Sequence, residues 1–263
     1  MLICLLKIKT LSILVEVSEN IIRNKLILEV TKGKRMNEFV GAVKKLLEDA
    51  SNYSDLLAIG ISEIRGCIEL VDTGEKATLI LSDKASVVEG SARPDFKISM
   101  NSQTFGEIIE GKADAFALAG RARADEVRPI EIEVFNKERG EEVWETIKIL
   151  LTYLFTPGKI KIKNLCPELA GQAHGAHPIP LVYWNGLRCS WFLVKAGEIL
   201  NKEGEKDPWP QLFIIIEGKG KAIIGNKEFE IKPKTAIYIP KNCIHQIIAQ
   251  ENVEVIWLTW QAQ

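Results

Sequence analysis

The chain has 263 residues, 46% of them hydrophobic and 26% charged, with a formal net charge of −1. That is ordinary globular composition, enough for one large core or two smaller ones, with no global field to attract nucleic acid. No zinc-finger spacing, arginine-rich arm or aromatic–basic interleaving supplies a local one, so no nucleic-acid partner is expected.

Met1–Val17 is apolar but broken by Lys7, Lys9, Thr10, Ser12 and Glu16. Its clean runs are too short for a membrane span, and a signal peptide's order of charge, apolar core and cleavage site is missing. No stable membrane insertion is expected. Residues 1–35 carry a net +4 and the remainder −5. The change falls at Met36, which reads as the true start, with 1–35 as an upstream overrun of the start site. An additional strand or amphipathic segment is the rival reading.

Phe39, Val43, Leu46, Leu47 and Ala50 give a helix with one apolar face. Strand-like runs follow at Ala58–Ile64, Cys67–Val71 and Ala77–Leu81, separated by Gly66 and by the turn Asp72-Thr73-Gly74. Phe96–Met100 reads as another strand. Asn101 or Ser102 then caps a helix that carries Phe105, Ile108 and Ile109 and ends at Gly111. A short helix spans Ala113–Leu118 and ends at Gly120. Ile130–Phe135 alternates as a strand, and Glu141–Phe155 is a strong helix closed by Thr156-Pro157-Gly158. Leu150–Phe155 is apolar all round, which fits a helix buried between two domains or one lining a tunnel.

This half, residues 36–158, is α+β. The run Phe96-Lys97-Ile98-Ser99-Met100, then Ser102, Phe105, Ile109–Phe116 and Gly120-Arg121, resembles the sterol carrier protein family over about residues 36–155. Glu110 stands where that family has a small residue, and Ala122 and Ala124 where it has larger ones. The resemblance implies binding of lipids or acyl chains in an apolar tunnel. Its candidate lining is Phe105, Ile108, Ile109, Phe116, Leu118, Ile147, Leu150, Leu151 and Leu154. Ordinary core packing explains the same pattern, since burying each such side chain is worth roughly 1.5–3 kcal/mol.

Residues 159–177 hold glycine, proline and basic residues and read as a connector packed on both halves. His174 and His177 form an H-x-x-H there, but Gly175 and Pro178 argue against a helix, so the pair reads as a solvated loop.

From Pro178 to Gln263 only short strands recur: Leu181–Trp184, Cys189–Val194, Leu212–Ile216, Lys221–Ile224, Phe229–Ile231, Ala236–Ile239, Ile244–Ile248 and Val253–Trp260. Such spacing means an antiparallel sandwich or barrel. Gln211 with an intact six-residue spacer to Gly218, and Pro240 with His245, resemble the two motifs of the cupin family. The resemblance implies a double-stranded β-helix or jelly-roll barrel holding a divalent metal on three histidines and a glutamate. This chain departs from it sharply. Gln211 replaces the glutamate, Glu205 and Asp207 fall on the histidine positions, and only His245 is kept. Lys234 and Asn242 replace glycines, the second mildly, because asparagine tolerates positive φ. Ala249 replaces the second motif's asparagine.

Zinc, iron and nickel favour imidazole nitrogen, whereas His245, Glu205, Asp207 and Gln211 form a mostly oxygen set suited to loosely held manganese or magnesium. With three histidines in the chain, a three-histidine centre would need the connector to fold back over the barrel mouth. Cys243 and His245 could form a nucleophile pair, but Cys243 sits at a strand entrance. No nucleophile elbow, phosphate loop or dinucleotide fingerprint occurs. The cysteines at 4, 67, 166, 189 and 243 are odd in number and lack C-x-x-C, so they read as buried thiols of a cytoplasmic protein.

The expectation is a two-domain chain, a sterol-carrier-like α+β module followed by an all-β cupin barrel. Its expected work is non-catalytic binding of an apolar or amphipathic small molecule, with no cofactor required and the barrel acting as a sensing, second-ligand or dimerising module. A metal-dependent isomerase or dioxygenase is the competing reading. A barrel that only oligomerises the chain, as a homodimer, is the third.

Overall fold

The computed structural model describes residues 36–53, 63–82, 84–121, 125–184 and 186–261. The N-terminal segment 1–35 and most of the strand expected at Ala58–Ile64 lie outside these residues.

Helix α1, residues 36–50, buries Phe39, Val40, Val43, Leu46 and Ala50, the face its spacing predicts. It packs on a five-stranded sheet made of β1 (Ile64–Leu70), β2 (Lys76–Leu81), β3 (Ser86–Glu89), β4 (Phe96–Met100) and β5 (Glu131–Val134). The strand order is β3-β2-β1-β4-β5. β1 and β4 run parallel in register Cys67↔Lys97, and the other pairs are antiparallel.

Gly66, which the sequence suggests as a break between strands, lies inside β1. A Cβ there would sit 2.3 Å from Cζ of Phe96 on the neighbouring strand, so glycine makes room for a buried ring rather than a turn. β3 has no counterpart among the expected strands. It is a four-residue edge strand in which only Val87 is buried, too weak a pattern to stand out.

α2 (Ser102–Ile109) is capped by Asn101, whose Oδ1 accepts the Thr104 N–H at 2.7 Å. α3 (Ala115–Ala119) starts two residues later than expected because Asp114 is its cap, accepting the Ala117 N–H at 2.8 Å. α4 (Gly140–Ile149) continues as a π-helical turn, Leu150–Leu154, in which Leu150, Leu151 and Leu154 are buried. The Thr152 and Thr156 hydroxyls donate to carbonyls four residues back, which lets these polar groups stay buried. This turn packs against the second half.

The second half has two facing sheets. The four-stranded one has the order β11-β10-β13-β8, built from β8 (Ile199–Leu200), β10 (Gly220–Ile224), β11 (Lys227–Ile231) and β13 (His245–Ala249). The five-stranded one has the order β12-β9-β14-β7-β6, built from β6 (His177–Trp184), β7 (Leu187–Val194), β9 (Gln211–Glu217), β12 (Thr235–Ile239) and β14 (Val253–Trp260). Phe192, Phe213, Ile215, Ile247 and Val255 fill the space between them. β6 starts at His177, earlier than the expected Leu181. It is an edge strand, and its Pro178 and Pro180 are tolerated there because one side of its ladder is free. The two-residue β8 is likewise absent from the expected strands.

Residues of 159–177 touch both halves. Lys163 donates to the Pro180 carbonyl at 3.1 Å and pairs with Asp114 Oδ2 at 2.5 Å, tying the cap of α3 to β6. Leu169 and Ala170 cover Ile179, Trp191 and Leu193 on the outer face of the five-stranded sheet.

Candidate functional site

A cavity of about 270 Å³ opens between the two sheets at the end facing the first half. Strand register sets its walls. Tyr183, Arg188, Thr259 and Gln211 form one cross-strand row of the five-stranded sheet. Pro180, Ser190, Trp257 and Phe213 form the next row, and Pro178, Phe192, Val255 and Ile215 the third. Side chains alternate faces along a strand, so residues two apart on β7, β9 and β14 all point inward. The first row is polar, the second is mixed and the third is apolar.

His245 faces these rows from β13, its ring centroid 5.9 Å from that of Phe213. α3 and the connector supply the roof, with Phe116, Arg121, Ala173 and His174. The Phe116 and Tyr183 rings lie 4.7 Å apart, joining the first half to the second across the cavity edge.

Hydrogen bonding fixes the polar groups. Trp257 Nε1–H donates to Gln211 Oε1 at 2.6 Å. Indole is only a donor, so the Gln211 amide must present its oxygen to Trp257 and its Nε2 elsewhere. Gln211 is 1% exposed and, among the described residues, that Nε2 has no partner, an uncommon condition for a buried donor. His245 Nδ1 lies 3.0 Å from the Cys243 carbonyl, which can only accept. The proton is therefore on Nδ1, and Nε2 keeps its lone pair. Burial holds the His245 pKa below its ordinary value, so the neutral ring prevails at neutral pH.

The Arg188 guanidinium lies over the Trp209 ring, 4.4 Å from its centroid, a cation–π contact at the edge of a cavity that Glu205 and Asp207 also border.

The connector does fold back over the barrel mouth. His174, held at φ 56, is 2.6 Å from Glu205 through Nδ1, and the Asn201 N–H donates to the His174 carbonyl at 2.7 Å. Gly175 lies close under Ile199, whose carbonyl oxygen a Cβ would meet at 2.4 Å. His177 Nε2 is 3.0 Å from Glu198. The H-x-x-H is thus no free loop: each ring docks on a different barrel glutamate. The Glu205 hydrogen bond raises the His174 pKa, and the same bond lowers that of Glu205.

The residues expected to hold a metal, His245, Glu205, Asp207 and Gln211, all border this cavity. Their donor atoms do not fit a metal. Glu205 is taken by His174, Asp207 Oδ1 accepts the Trp209 N–H at 2.9 Å, and Gln211 Oε1 is taken by Trp257. Among the described residues no three His, Cys, Asp or Glu side chains converge as a metal cluster. The Cys243–His245 pair meets through the Cys243 carbonyl rather than the thiol. Burial pushes the Cys189 thiol up to about 11 and raises that of Cys67, the reverse of an activated nucleophile.

Of the nine expected lipid-lining residues, only Phe116 borders the cavity. Phe105, Ile108, Ile147, Leu150, Leu151 and Leu154 are buried in the first core, with Ile109 and Leu118 packed against it. Tyr183, Arg188, Ser190, Phe192 and Trp257 are site residues that the motifs do not reveal. Their inward parity on alternating strands is the available signal.

Two facing sheets thus enclose a cavity whose interior runs from polar to apolar. Residues 190–260 match the family model described as a cupin domain, so the barrel is a cupin domain; the match leaves the first half outside it. Among curated proteins nothing matches the chain. Among solved structures, the plu4264 protein of Photorhabdus luminescens is 18% identical over 38% of this chain and 87% of its own, with a TM-score of 0.34. A cupin 2 conserved barrel domain protein of Salinispora arenicola is 16% identical over 39% of this chain and 90% of its own, with a TM-score of 0.35. The EutQ protein of Clostridium difficile is 18% identical over 34% of this chain and 69% of its own, with a TM-score of 0.29. Among the described residues no helix is long and apolar enough to cross a membrane.

Proposed function

We propose that this protein binds a small organic molecule, without transforming it, in the cupin cavity, and that the first half serves as the cavity's roof. The observation that carries this reading is the cavity of about 270 Å³ between the sheets, lined both by the rings of Phe116, Tyr183, Phe192 and Trp257 and by polar side chains. Catalysis lacks comparable support: the neutral His245 faces no activated nucleophile, and the carboxylates beside it already have partners.

The sterol-carrier-like reading of residues 36–158 draws on the residue resemblance and on helices layered over a sheet. Its weakness is that Ile108, Ile147, Leu150 and Leu154 are 0% exposed and consumed as core. A barrel-mediated homodimer draws on a different feature, the half-exposed Ile214, Ile216 and Trp260 on the outer face of β9 and β14.

The test is native mass spectrometry of the purified chain, followed by denaturation, extraction and metal analysis. One small molecule per chain, lost in Ser190→Phe, is the expected result. One metal per chain, lost in His245→Ala, overturns it. A lipid retained by Ser190→Phe assigns binding to the first half instead.

A further inference from the structure

The outer face of the five-stranded sheet has a role of its own, independent of what the cavity holds. We infer that it is a two-fold interface with a second copy of this chain, which sets two barrels face to face.

Side chains alternate across a strand, so the buried Phe213, Ile237 and Thr259 that point between the sheets fix which of their neighbours point out. Leu258, Leu212 and Tyr238 form one outward cross-strand row, and Ile256, Ile214 and Ala236 the next. Trp260 and Ile216 extend the face at its two ends. None of these residues is charged. The next outward position on β14 is Glu254, whose carboxylate accepts the Trp191 Nε1–H at 3.2 Å.

Leu169 and Ala170 of the connector cover this face over β6 and β7. The cover does not extend across the sheet: Tyr238 is 73% exposed, Ile216 42%, and Ile214 and Trp260 37% each. A contiguous apolar patch of this kind marks an interaction surface.

Its chemistry favours a second copy. A face without charge meets itself with no like-charge repulsion, and it offers a different protein no charge by which to be recognised. A sheet face is also matched by another sheet crossing at about −30°, the packing of β-sandwiches. At these exposures each copy contributes roughly 500 Å², so a pair buries about 1,000 Å², enough for a specific interface.

Pairing through the strand edge is opposed. The free edge of β12 is flanked by the exposed Lys232, Lys234 and Lys241 and by Pro233 and Pro240. Such lysines and prolines resist the addition of a further strand. Association through the face alone closes as a two-fold dimer and does not propagate.

The test is sedimentation velocity of the full chain over a wide range of concentration. The expected particle has twice the 29.4 kDa mass of the chain. Ile214→Lys places a charge near the centre of the face and Tyr238→Lys one at its margin. Each should weaken the dimer at least about tenfold while keeping the far-UV circular dichroism of the wild type. Tyr238 is exposed enough for its replacement to leave the barrel intact, so it decides the matter if Ile214→Lys misfolds. A wild-type chain that stays monomeric, its face covered by another protein or by its own residues 1–35, overturns the inference. So does a folded variant that dimerises as tightly as the wild type. Neither result bears on small-molecule binding in the cavity, which the mass spectrometry decides separately.

Discussion

Lys163→Met is the sharpest test of how the two halves are joined. The Lys163 and Asp114 side chains are only 13% and 7% exposed, and the amine also donates to the Pro180 carbonyl. Removing one partner of a buried ion pair leaves a charge that water cannot reach, a loss of about 3–5 kcal/mol. For a chain of this size about 2–4 °C of melting midpoint follows each kcal/mol, so the expected fall is about 6–20 °C by differential scanning calorimetry. Adding Asp114→Asn should recover part of that fall. Asparagine removes the stranded charge yet can still accept the Ala117 N–H that starts α3. Lys219→Met is the reference, because Lys219 and Glu251 are both more than half exposed and their pair is screened by solvent. A fall for Lys163→Met no larger than that of Lys219→Met would refute the clamp, and with it the idea that α3 is rigidly placed over the cavity.

Two further outcomes follow from backbone and charge. Lys234 and Asn242 occupy glycine positions of the cupin motif, and both are left-handed, at φ 62 and φ 57. Left-handed backbone costs most residues about 1–2 kcal/mol, less for asparagine, while glycine's chain entropy returns part of the gain. Lys234→Gly should therefore stabilise the chain by about 0.5–1 kcal/mol and Asn242→Gly by less, read from urea midpoints; the reverse order would contradict the strain argument. For the latch, the His174 pKa is raised above 6.5, so its contribution is complete below that pH and is lost as pH rises through the folded value. The Glu205 pKa is lowered from 4.5, so its contribution is present above 4.5 and lost as pH falls through the folded value. The midpoint difference between the wild type and His174→Asn should thus be greatest between pH 4.5 and 6.5 and shrink on either side. A flat difference across that range and above it would show that the pair is not coupled.

The fold was legible wherever one face of an element repeats. α1, α2, β4, β5 and the strands from β9 to β14 follow from spacing alone, because burial on one side imposes a period. The failures have local causes. Gly66 looks like a break because its reason lies on another strand, in the ring of Phe96, some thirty residues away in sequence. β3 and β8 are short edge elements with one buried residue each, below what a period can reveal. The all-round apolar end of α4 packs against β6, a partner in the other half that its own spacing does not name.

The candidate site was legible by motif but misread in chemistry. Counting from the cupin motifs placed His245, Glu205, Asp207 and Gln211 together, and the structure does gather them around one cavity. Sequence spacing could not show that each departure comes with a partner. Glu205 stands where a histidine is usual, and the imidazole it meets arrives from the connector as His174. Gln211 stands where a glutamate is usual, and its oxygen is held by Trp257. Restoring the motif residues alone would therefore not restore a metal centre. A histidine at 205 would face His174 without the charge complementarity that now holds the connector down. A glutamate at 211 would still have Trp257 drawing on one of its oxygens. The departures and their partners form one arrangement, in which Glu205 holds the connector through His174 and Gln211 gives its oxygen to Trp257.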